Sequence, residues 1–438
     1  MGWKCSAKPV SINPFKTGQP MGGVLALQGF YRSMPLIHGA QGCSAFIKAM
    51  MTRHFREPVA SQTTALQEFN VIFGGGKSLR EGLDTVIEKH RPSLVAVLST
   101  ALTEVAGEDV EGELRQYRKE RGVKDTLLVA ASIPDFTGSL ESGYAKTTEA
   151  VISGIVDLAK DERPRKKSKS RVNLLVGSHY TPADVMELKE IISSFGLEVI
   201  ALPDISTSLS GHLLTGHTPL SRGGLPLDYA RHLLTAEVTI VAGESMIPAA
   251  KLLEVEAGIP YKVFPGLMGL QATDRLFAYL ASLSRQEVPV RYKWEREFLL
   301  DSMLDAHFVY GGKRVAMALE PDHLYSMAGW LKEMGAVPGG LVAPVVSPLF
   351  DRMEEEVVIG DLGDLEELAE RCHADVWISC SHGEQGAGRL DMPFYPCGFP
   401  IFDRFGVSMN VSVGYKGATQ WVNGLGNVLL SGERRIHA

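Results

Sequence analysis

Cysteine is scarce in this sequence, and the few that occur follow neither a metal-binding pattern nor a disulfide pattern. The 438 residues contain five cysteines at irregular spacings, and an odd number argues against a disulfide framework. No C-x-x-C occurs, so we expect neither a zinc site nor a complete iron–sulfur site from this chain alone. Cys5 lies in a terminus that is expected to be mobile, and core packing is expected for the three late cysteines, Cys372, Cys380 and Cys397.

Long apolar runs and an excess of basic residues are missing as well. No run approaches the roughly 18 residues of a membrane helix, and the first ten residues, MGWKCSAKPV, lack the apolar stretch of a signal peptide. A cytoplasmic protein is therefore expected. The formal net charge of -7 argues against a nucleic-acid surface. We interpret the single basic run, DERPRKKSKSR (161–171), as an exposed linker.

The usual nucleotide-binding and hydrolase motifs are also absent. The string FGGGKS (73–78) suggests a phosphate loop, but Val71 stands where that motif needs a glycine. We interpret it as a turn and a helix N-terminus. No G-x-G-x-x-G follows a strand, and no G-x-S-x-G is present. The sequence therefore gives no support to dinucleotide binding or to a hydrolase.

Short apolar runs rich in β-branched residues alternate with helical patterns along the whole chain. The segment 78–90, for example, has the amphipathic helical pattern, with apolar residues at Leu79, Leu83, Val86 and Ile87. This alternation predicts an α/β fold of three doubly wound, Rossmann-like units with parallel sheets. The predicted strands are 93–99, 127–132, 172–177, 197–203, 238–243, 313–320, 340–346 and 375–380.

A chain of this length exceeds one hydrophobic core, which stops growing at roughly 250–300 residues. The basic run marks the first seam. We expect a first α/β domain over 1–165, a second over 172–295, and a third over 296–438 that ends in a helix. Ligands of such sheets sit beyond the carboxyl ends of the strands, or in a crevice between units.

The string HGAQGC (38–43) places Cys43 at a predicted strand-to-helix turn. Free N–H groups and the dipole of a helix N-terminus favour the thiolate, which is the form that binds metals. Gly39 and Gly42 let the backbone pass close to a bulky inorganic ligand. The alternative is an ordinary buried cysteine. We interpret His38 as a partner of a backbone group rather than as a ligand.

Five ordered strings resemble the NifN family, which belongs to the superfamily of nitrogenase molybdenum–iron proteins. The resemblance covers nearly the whole chain and implies a nitrogenase component 1-like fold. The strings are SMPLIHGAQGC (33–43), RHFREPV (53–59), QTTA (62–65), PDFTGSLESGY (134–144) and GFPIFDR (398–404).

The cysteine positions separate the NifN family from the catalytic β-subunit within this superfamily. The similar catalytic β-subunit holds its share of an eight-iron cluster with three cysteines, but two of those positions are Gly18 and Ala101 here. The resemblance implies that Cys43 is one ligand of a [4Fe–4S] cluster shared with a partner subunit. Asp135 replaces a serine ligand, so its oxygen is expected near the cluster. By the same resemblance, Gly42 and Ser44 give the cluster backbone room, and His38 supports the loop.

The function implied is a scaffold for cofactor assembly rather than an enzyme on its own. The NifE–NifN complex, an α2β2 heterotetramer, holds the iron–molybdenum cofactor precursor supplied by a NifB-type donor. A NifH-type reductase acts on this complex, and the finished cofactor passes to apo-nitrogenase. Three alternatives remain open from sequence: the equivalent subunit of a vanadium system, a catalytic subunit of a nitrogenase-like reductase, and a structural paralogue without a cluster.

Overall fold

The structure is a computed structural model that describes residues 2–8, 15–67, 74–159, 167–213, 216 and 218–436. It is an α/β protein in which these residues form three sheets of four, four and six strands, and all the strand pairs are parallel. The predicted fold class is confirmed. The chain begins with strand β1 (Trp3–Cys5), which belongs to the third sheet.

The first sheet has the strand order β3-β2-β4-β5. Every residue of its two central strands is buried, because helices cover both faces, and this explains their uninterrupted apolar runs. The strands are β2 (Ser33–His38), β3 (Gln62–Thr63), β4 (Leu94–Ser99) and β5 (Leu127–Ala131). The helices are α1 (Gln19–Gln28), α2 (Gln41–Phe55), α3 (Gly76–His90), α4 (Ala101–Val105), α5 (Val110–Arg121) and α6 (Leu140–Ala159).

Helix α3 shows how the sequence pattern becomes structure. Its buried positions are Leu79, Leu83 and Val86, which share one face because three or four residues separate them. Ile87, which the sequence pattern also places on the apolar face of the helix, is only partly buried against this core. The helix begins at Gly76, as predicted for the FGGGKS string, although Phe73 lies outside the described residues.

The second sheet has the order β7-β6-β8-β9. Its strands are β6 (Arg171–Val176), β7 (Glu198–Leu202), β8 (Val238–Ala242) and β9 (Tyr261–Phe264). Its helices are α7 (Pro182–Ser193), α8 (Leu227–Ala230), α9 (Ile247–Ala257) and α10 (Gly269–Ser284), with short 3-10 turns at Ile205–Thr207, Arg231–Thr235 and Glu244–Met246. Thr181 and Asp184 form a capping box that fixes the start of α7 close to the end of β6.

The third sheet has the order β1-β12-β11-β10-β13-β14. Its strands, besides β1, are β10 (Arg314–Ala318), β11 (Val337–Ala343), β12 (Val357–Ile359), β13 (Val376–Ser379) and β14 (Phe394–Pro396). The helices are α11 (Val290–Tyr310), α12 (Pro321–Glu333), α13 (Leu362–Arg371), α14 (Glu384–Arg389) and α15 (Gly414–Ile436), with 3-10 turns at Pro348–Arg352, Ser381–Gly383 and Val407–Met409.

The amino terminus differs from the sequence expectation. Cys5 was expected in a mobile terminus, but it lies in β1 and pairs with Ile359 of β12. The neighbouring Gly2 carbonyl accepts a hydrogen bond from the backbone N–H of Val357. The expectation was wrong because the pairing partner lies at the far end of the sequence, where no local pattern can reveal it.

One large apolar core runs through residues of all three sheets. The predicted boundary between 295 and 296 falls inside α11, and residues 161–166 of the predicted linker lie outside the described residues. The three domain ranges therefore remain a prediction. Among the described residues, no helix is both long enough and apolar enough to cross a membrane.

Candidate functional site

Cys43 lies where the sequence placed it, at the turn from a parallel strand into a helix. Strand β2 ends at His38, and Cys43 is the third residue of α2. Its thiol is partly buried, whereas the neighbouring Ser44 is buried. Gly42 is exposed, and a Cβ built on it would have no other atom within 4 Å. The loop therefore presents one thiol beside open space.

A second turn holds this loop in place. Thr100, the residue between β4 and α4, donates its hydroxyl to the backbone carbonyl of His38 at 3.0 Å. Gly39 packs so closely that an added Cβ would lie 2.5 Å from Thr100 Oγ1, so a larger residue would separate the two turns. The same contact fixes the turn that carries Ala101, one of the two positions where the resemblance expects a cysteine.

His38 anchors the loop through side chains and not through a backbone group, so the predicted kind of partner was wrong. Its Nδ1 lies 2.9 Å from Thr64 Oγ1, and its Nε2 lies 2.7 Å from Glu108 Oε2. Burial lowers the pKa of His38, and the Glu108 carboxylate partly offsets this effect. With both ring nitrogens engaged, His38 has a supporting role and is not available as a metal ligand.

Asp135 and Gly18 stand against each other beside the thiol. A Cβ built on Gly18 would lie 2.8 Å from Asp135 Cβ, which is closer than two such atoms pack. A cysteine at position 18 would therefore require Asp135 to move. Asp135 is exposed just after β5, and its charge acts on the Cys43 thiol, so these two side chains are close. The structure thus places Gly18 against Asp135, and the Asp135 charge acts on the Cys43 thiol.

The pKa of Cys43 is shifted in the direction opposite to the sequence expectation. Partial burial raises it, and the Asp135 carboxylate raises it further. The predicted preference for thiolate was based on the helix N-terminus alone, and in this chain desolvation and a like charge outweigh that effect. A metal or a cationic partner would be needed to favour the thiolate.

Three exposed apolar side chains lie on the segments that follow β2, β4 and β5, the three strands whose carboxyl ends share the sheet edge of Cys43. Phe46, one helical turn further along α2, is 56% exposed, and Phe136, next to Asp135, is 58% exposed. Val105 at the end of α4 is 81% exposed. We call these three residues and Cys43 the thiol face. Exposed large apolar side chains near one edge of a sheet are typical of a protein–protein contact.

The other cysteines do not complete a cluster site. All five are free, and no group of three or more His, Cys, Asp or Glu ligands among the described residues includes Cys43. Cys380 and Cys397 are buried in the third unit, and burial raises the pKa of Cys380 to about 11. Cys372 is partly buried at the end of α13. Core packing was the prediction for these residues, and their burial agrees with it.

Sequence reasoning missed the residues of a central cavity of about 100 Å³. His179 follows β6, His323 follows β10, and His54 reaches the cavity from the end of α2. Cys397 also lines it, with its Sγ 3.4 Å from His323 Nε2. The available signal was positional, because polar residues just beyond parallel strands tend to converge.

The fold and these segments define a protein of the nitrogenase component 1 class. Residues 18–430 match the family described as nitrogenase component 1 type oxidoreductase. The structure also resembles the solved structure "Nitrogenase Cp1 at pH 6.5", with a TM-score of 0.92 and 29% sequence identity. That likeness covers 99% of this chain and 96% of the solved one.

Similar curated proteins carry the description "Nitrogenase iron-molybdenum cofactor biosynthesis protein NifN". The protein from Rippkaea orientalis is 40% identical, over 97% of this chain and 95% of its own length. The one from Bradyrhizobium diazoefficiens is 38% identical over 97% and 90%, and the one from Klebsiella pneumoniae is 36% identical over 98% and 93%. The chain belongs to the NifN family.

Proposed function

We propose that this chain is the NifN-type subunit of a NifE–NifN scaffold. On that scaffold the iron–molybdenum cofactor precursor is matured before its transfer to apo-nitrogenase. The observation that carries the proposal is similarity to NifN proteins over 97% of the chain, combined with a cluster loop that keeps one cysteine. The role is that of an assembly subunit rather than of an enzyme acting alone.

We further propose that Cys43 is one ligand of a [4Fe–4S] cluster completed by the partner. A four-iron cluster is ordinarily held by four thiolates, and Gly18 and Ala101 offer none. The residues present suit a single ligand, because the Cys43 thiol is accessible and Gly42 leaves open space beside it. When bound, such a cluster supplies one-electron transfer.

The neighbouring residues have supporting roles in this proposal. Gly42 and Ser44 give the cluster backbone room, with Gly42 exposed and the Ser44 side chain buried. His38 keeps the loop fixed through Thr64 and Glu108. Asp135 lies near enough to raise the pKa of the Cys43 thiol, so its oxygen would lie near the cluster without having to bind it.

Two apolar surfaces support an α2β2 heterotetramer with a NifE-type subunit. The thiol face would contact that subunit, which would bring its own cysteines to the shared cluster. The second surface lies along α11, where apolar side chains recur on exposed positions of a 21-residue helix. This stripe suits the contact between the two halves of the tetramer. Its exposed members are Val290, Trp294, Phe298, Leu304 and Phe308.

The remaining partners follow from the same family. The complex holds the precursor supplied by a NifB-type donor, and a NifH-type reductase delivers electrons to it in the cytoplasm. No nucleic acid or membrane is part of the proposal. The likeness to a nitrogenase structure at 29% identity favours one second candidate, a catalytic subunit of a nitrogenase-like reductase. A substrate-reducing activity of the purified complex would distinguish it from the scaffold.

The decisive experiment is anaerobic purification of the chain together with its partner subunit, followed by iron analysis and EPR. In Cys43→Ala we expect loss or marked alteration of the reduced [4Fe–4S] signal while the oligomer stays intact. Cys372→Ala is the matched control, because that partly buried cysteine lies at the end of α13, in the third unit. Unchanged iron and EPR in Cys43→Ala would remove this chain from the cluster.

A further inference from the structure

Three potential metal ligands meet near the central cavity, one from each sheet. Glu141 is the second residue of α6, which follows β5. His179 follows β6, and Asp322 is the second residue of α12, which follows β10. One ligand atom of each lies within 4.8 Å of the others. The carboxyl ends of three separate parallel sheets thus supply one ligand apiece.

His179 is the observation that points to a ligand. Both of its ring nitrogens are buried, and among the described residues neither has a hydrogen-bond partner. The other histidines at the cavity differ, because His54 Nδ1 accepts the Ile401 N–H and His323 Nε2 contacts Cys397. A buried imidazole normally has its polar atoms satisfied, so this pair of open nitrogens calls for a partner.

Two glycines pack so closely against His179 and Asp322 that a side chain at either glycine would collide with them. Gly243 has a φ of +98°, and a Cβ built on it would lie 2.6 Å from Asp322 Oδ2 and 3.5 Å from His179 Cε1. On the other side, a Cβ on Gly177 would lie 3.1 Å from His179 Nδ1. Two glycines therefore form a tight cradle around the imidazole and the carboxylate.

Both carboxylates are held in position by their own hydrogen bonds. Asp322 accepts the backbone N–H groups of Glu244 and Ser245 at 3.0 and 3.1 Å, and the Ser245 hydroxyl at 2.6 Å. Glu141 Oε2 accepts the Asp322 backbone N–H at 3.0 Å. Metal ligands are commonly oriented by hydrogen bonds of this kind.

We propose that Glu141, His179 and Asp322 form a site for a divalent cation of the Fe²⁺, Mn²⁺ or Zn²⁺ type. Two carboxylates and one imidazole are a ligand set that such ions accept, and two negative charges balance the ion. Shifts of about 1 Å would bring the three ligand atoms to the roughly 2.0–2.2 Å bonds of these metals. The adjoining cavity leaves room for water or a small anion at the open positions.

This site is separate from the thiol face and does not depend on the proposed function. His54 and Cys43 lie on the same helix, α2, eleven positions apart, which corresponds to about 16 Å along the axis. All three proposed ligands belong to this chain, and none of them is a thiolate. A hard, oxygen-preferring probe such as Mn²⁺ can test it without interference from Cys43.

The test is a Mn²⁺ titration of the chelator-treated complex of this chain with its partner, followed by EPR of free and bound ion. We expect wild type to bind Mn²⁺ saturably, with the spectrum of the bound ion showing coupling to an imidazole ¹⁴N. Affinity should fall at least tenfold in both Glu141→Gln and His179→Gln. Glu320→Gln is the matched control, since this partly buried carboxyl lines the same cavity and accepts a hydrogen bond from the Ser139 hydroxyl.

Several outcomes would overturn the proposal. Equal Mn²⁺ binding by wild type, Glu141→Gln and His179→Gln would do so, and so would an equal loss in Glu320→Gln, which would mean that only the acidity of the cavity matters. Bound Mn²⁺ without ¹⁴N coupling in wild type would exclude His179 as a ligand. That last measurement needs no variant, so it stands even where a substitution disturbs folding. Thermal unfolding with and without Mn²⁺ adds a second readout, because stabilisation is expected in wild type and not in His179→Gln.

Discussion

The thiol face and the central cavity lie at the same kind of position in the fold, but they differ in whether this chain alone supplies the groups of the site. Both lie beyond the carboxyl ends of parallel strands. At the thiol face this chain offers one partly exposed sulfur amid exposed apolar side chains. Near the cavity, Glu141, His179 and Asp322 follow strands of three different sheets of one chain, and both ring nitrogens of His179 are buried. A site completed by the fold is tied to stability, whereas a site completed by a partner is tied to assembly.

The largest test of this contrast removes Asp322. Asp322→Ala leaves two partly buried backbone N–H groups and the Ser245 hydroxyl without their acceptor, so the free energy of unfolding should fall by about 3 kcal/mol. Cys43→Ala should change it by less than about 1 kcal/mol, since that side chain is only partly buried. Urea unfolding midpoints of the two variants measure both stability losses. Similar losses would contradict the contrast between the two sites.

A pair of glycine substitutions sharpens the contrast at backbone level. Gly243→Ala should cost about 2 kcal/mol, because its φ is +98° and the new Cβ would meet Asp322 Oδ2. Gly42→Ala should be neutral or stabilise by up to about 1 kcal/mol, because the position is helical and open. Thermal unfolding measures both. A costly Gly42→Ala would mean that the thiol face is packed more tightly than the structure has it.

The cavity should also have its own pH dependence. Burial lowers the pKa of His54 from near 6.5 to about 3, so between these values the unfolded chain binds a proton that the folded chain does not. The stability that neutral His54 contributes is therefore complete above pH 6.5 and falls with decreasing pH, by about 1.4 kcal/mol per unit. In His54→Gln this slope should disappear. In urea unfolding at pH 6.5, 5.5 and 4.5, the difference in unfolding free energy between wild type and the variant should shrink as the pH falls. A constant difference would contradict the prediction.

The smallest expected effect is at the thiol face. Asp135→Asn removes a negative charge that raises the pKa of Cys43, so the pKa should fall and more thiolate should form at a given pH. Alkylation of Cys43 by iodoacetamide at pH 7.5 should become roughly threefold faster in the isolated chain. Asp305→Asn, on the remote helix α11, is the control. An unchanged rate would mean that burial alone sets the reactivity of this thiol.

Most of the fold could be predicted from local sequence pattern. The run at 172–177 corresponds to β6 within one residue at each end, because a buried parallel strand is a short apolar run bounded by turns. The end of α5 has a local signal as well, because Gly122 follows the helix in the left-handed conformation, with a φ of +61°, and glycine is the usual residue at such a position. Strand β1 escaped prediction because it has three residues, two of them exposed.

The position of the candidate site in the fold could be predicted from the sequence, but the groups that surround its residues could not. Cys43 sits at the strand-to-helix turn that its string indicated. The partners of His38 were missed because Thr64 and Glu108 come from other segments, 26 and 70 residues away in sequence. The pKa of Cys43 was predicted in the wrong direction because burial and Asp135 are tertiary effects. For the same reason, no single string suggested that Glu141, His179 and Asp322 would meet.

The pairing of β1 with β12 also affects the order in which parts of the protein can fold during synthesis. Trp3 lies opposite Val357, so roughly 350 residues are synthesised after β1 before its partner strand exists. At the usual synthesis rate of 5–20 residues per second, that wait lasts about 20 to 70 seconds. During that time the first two sheets can form, because their strands are contiguous in the chain. Pairing of β1 with β12 is thus a late event in folding, which follows the synthesis of β10, β11 and β12.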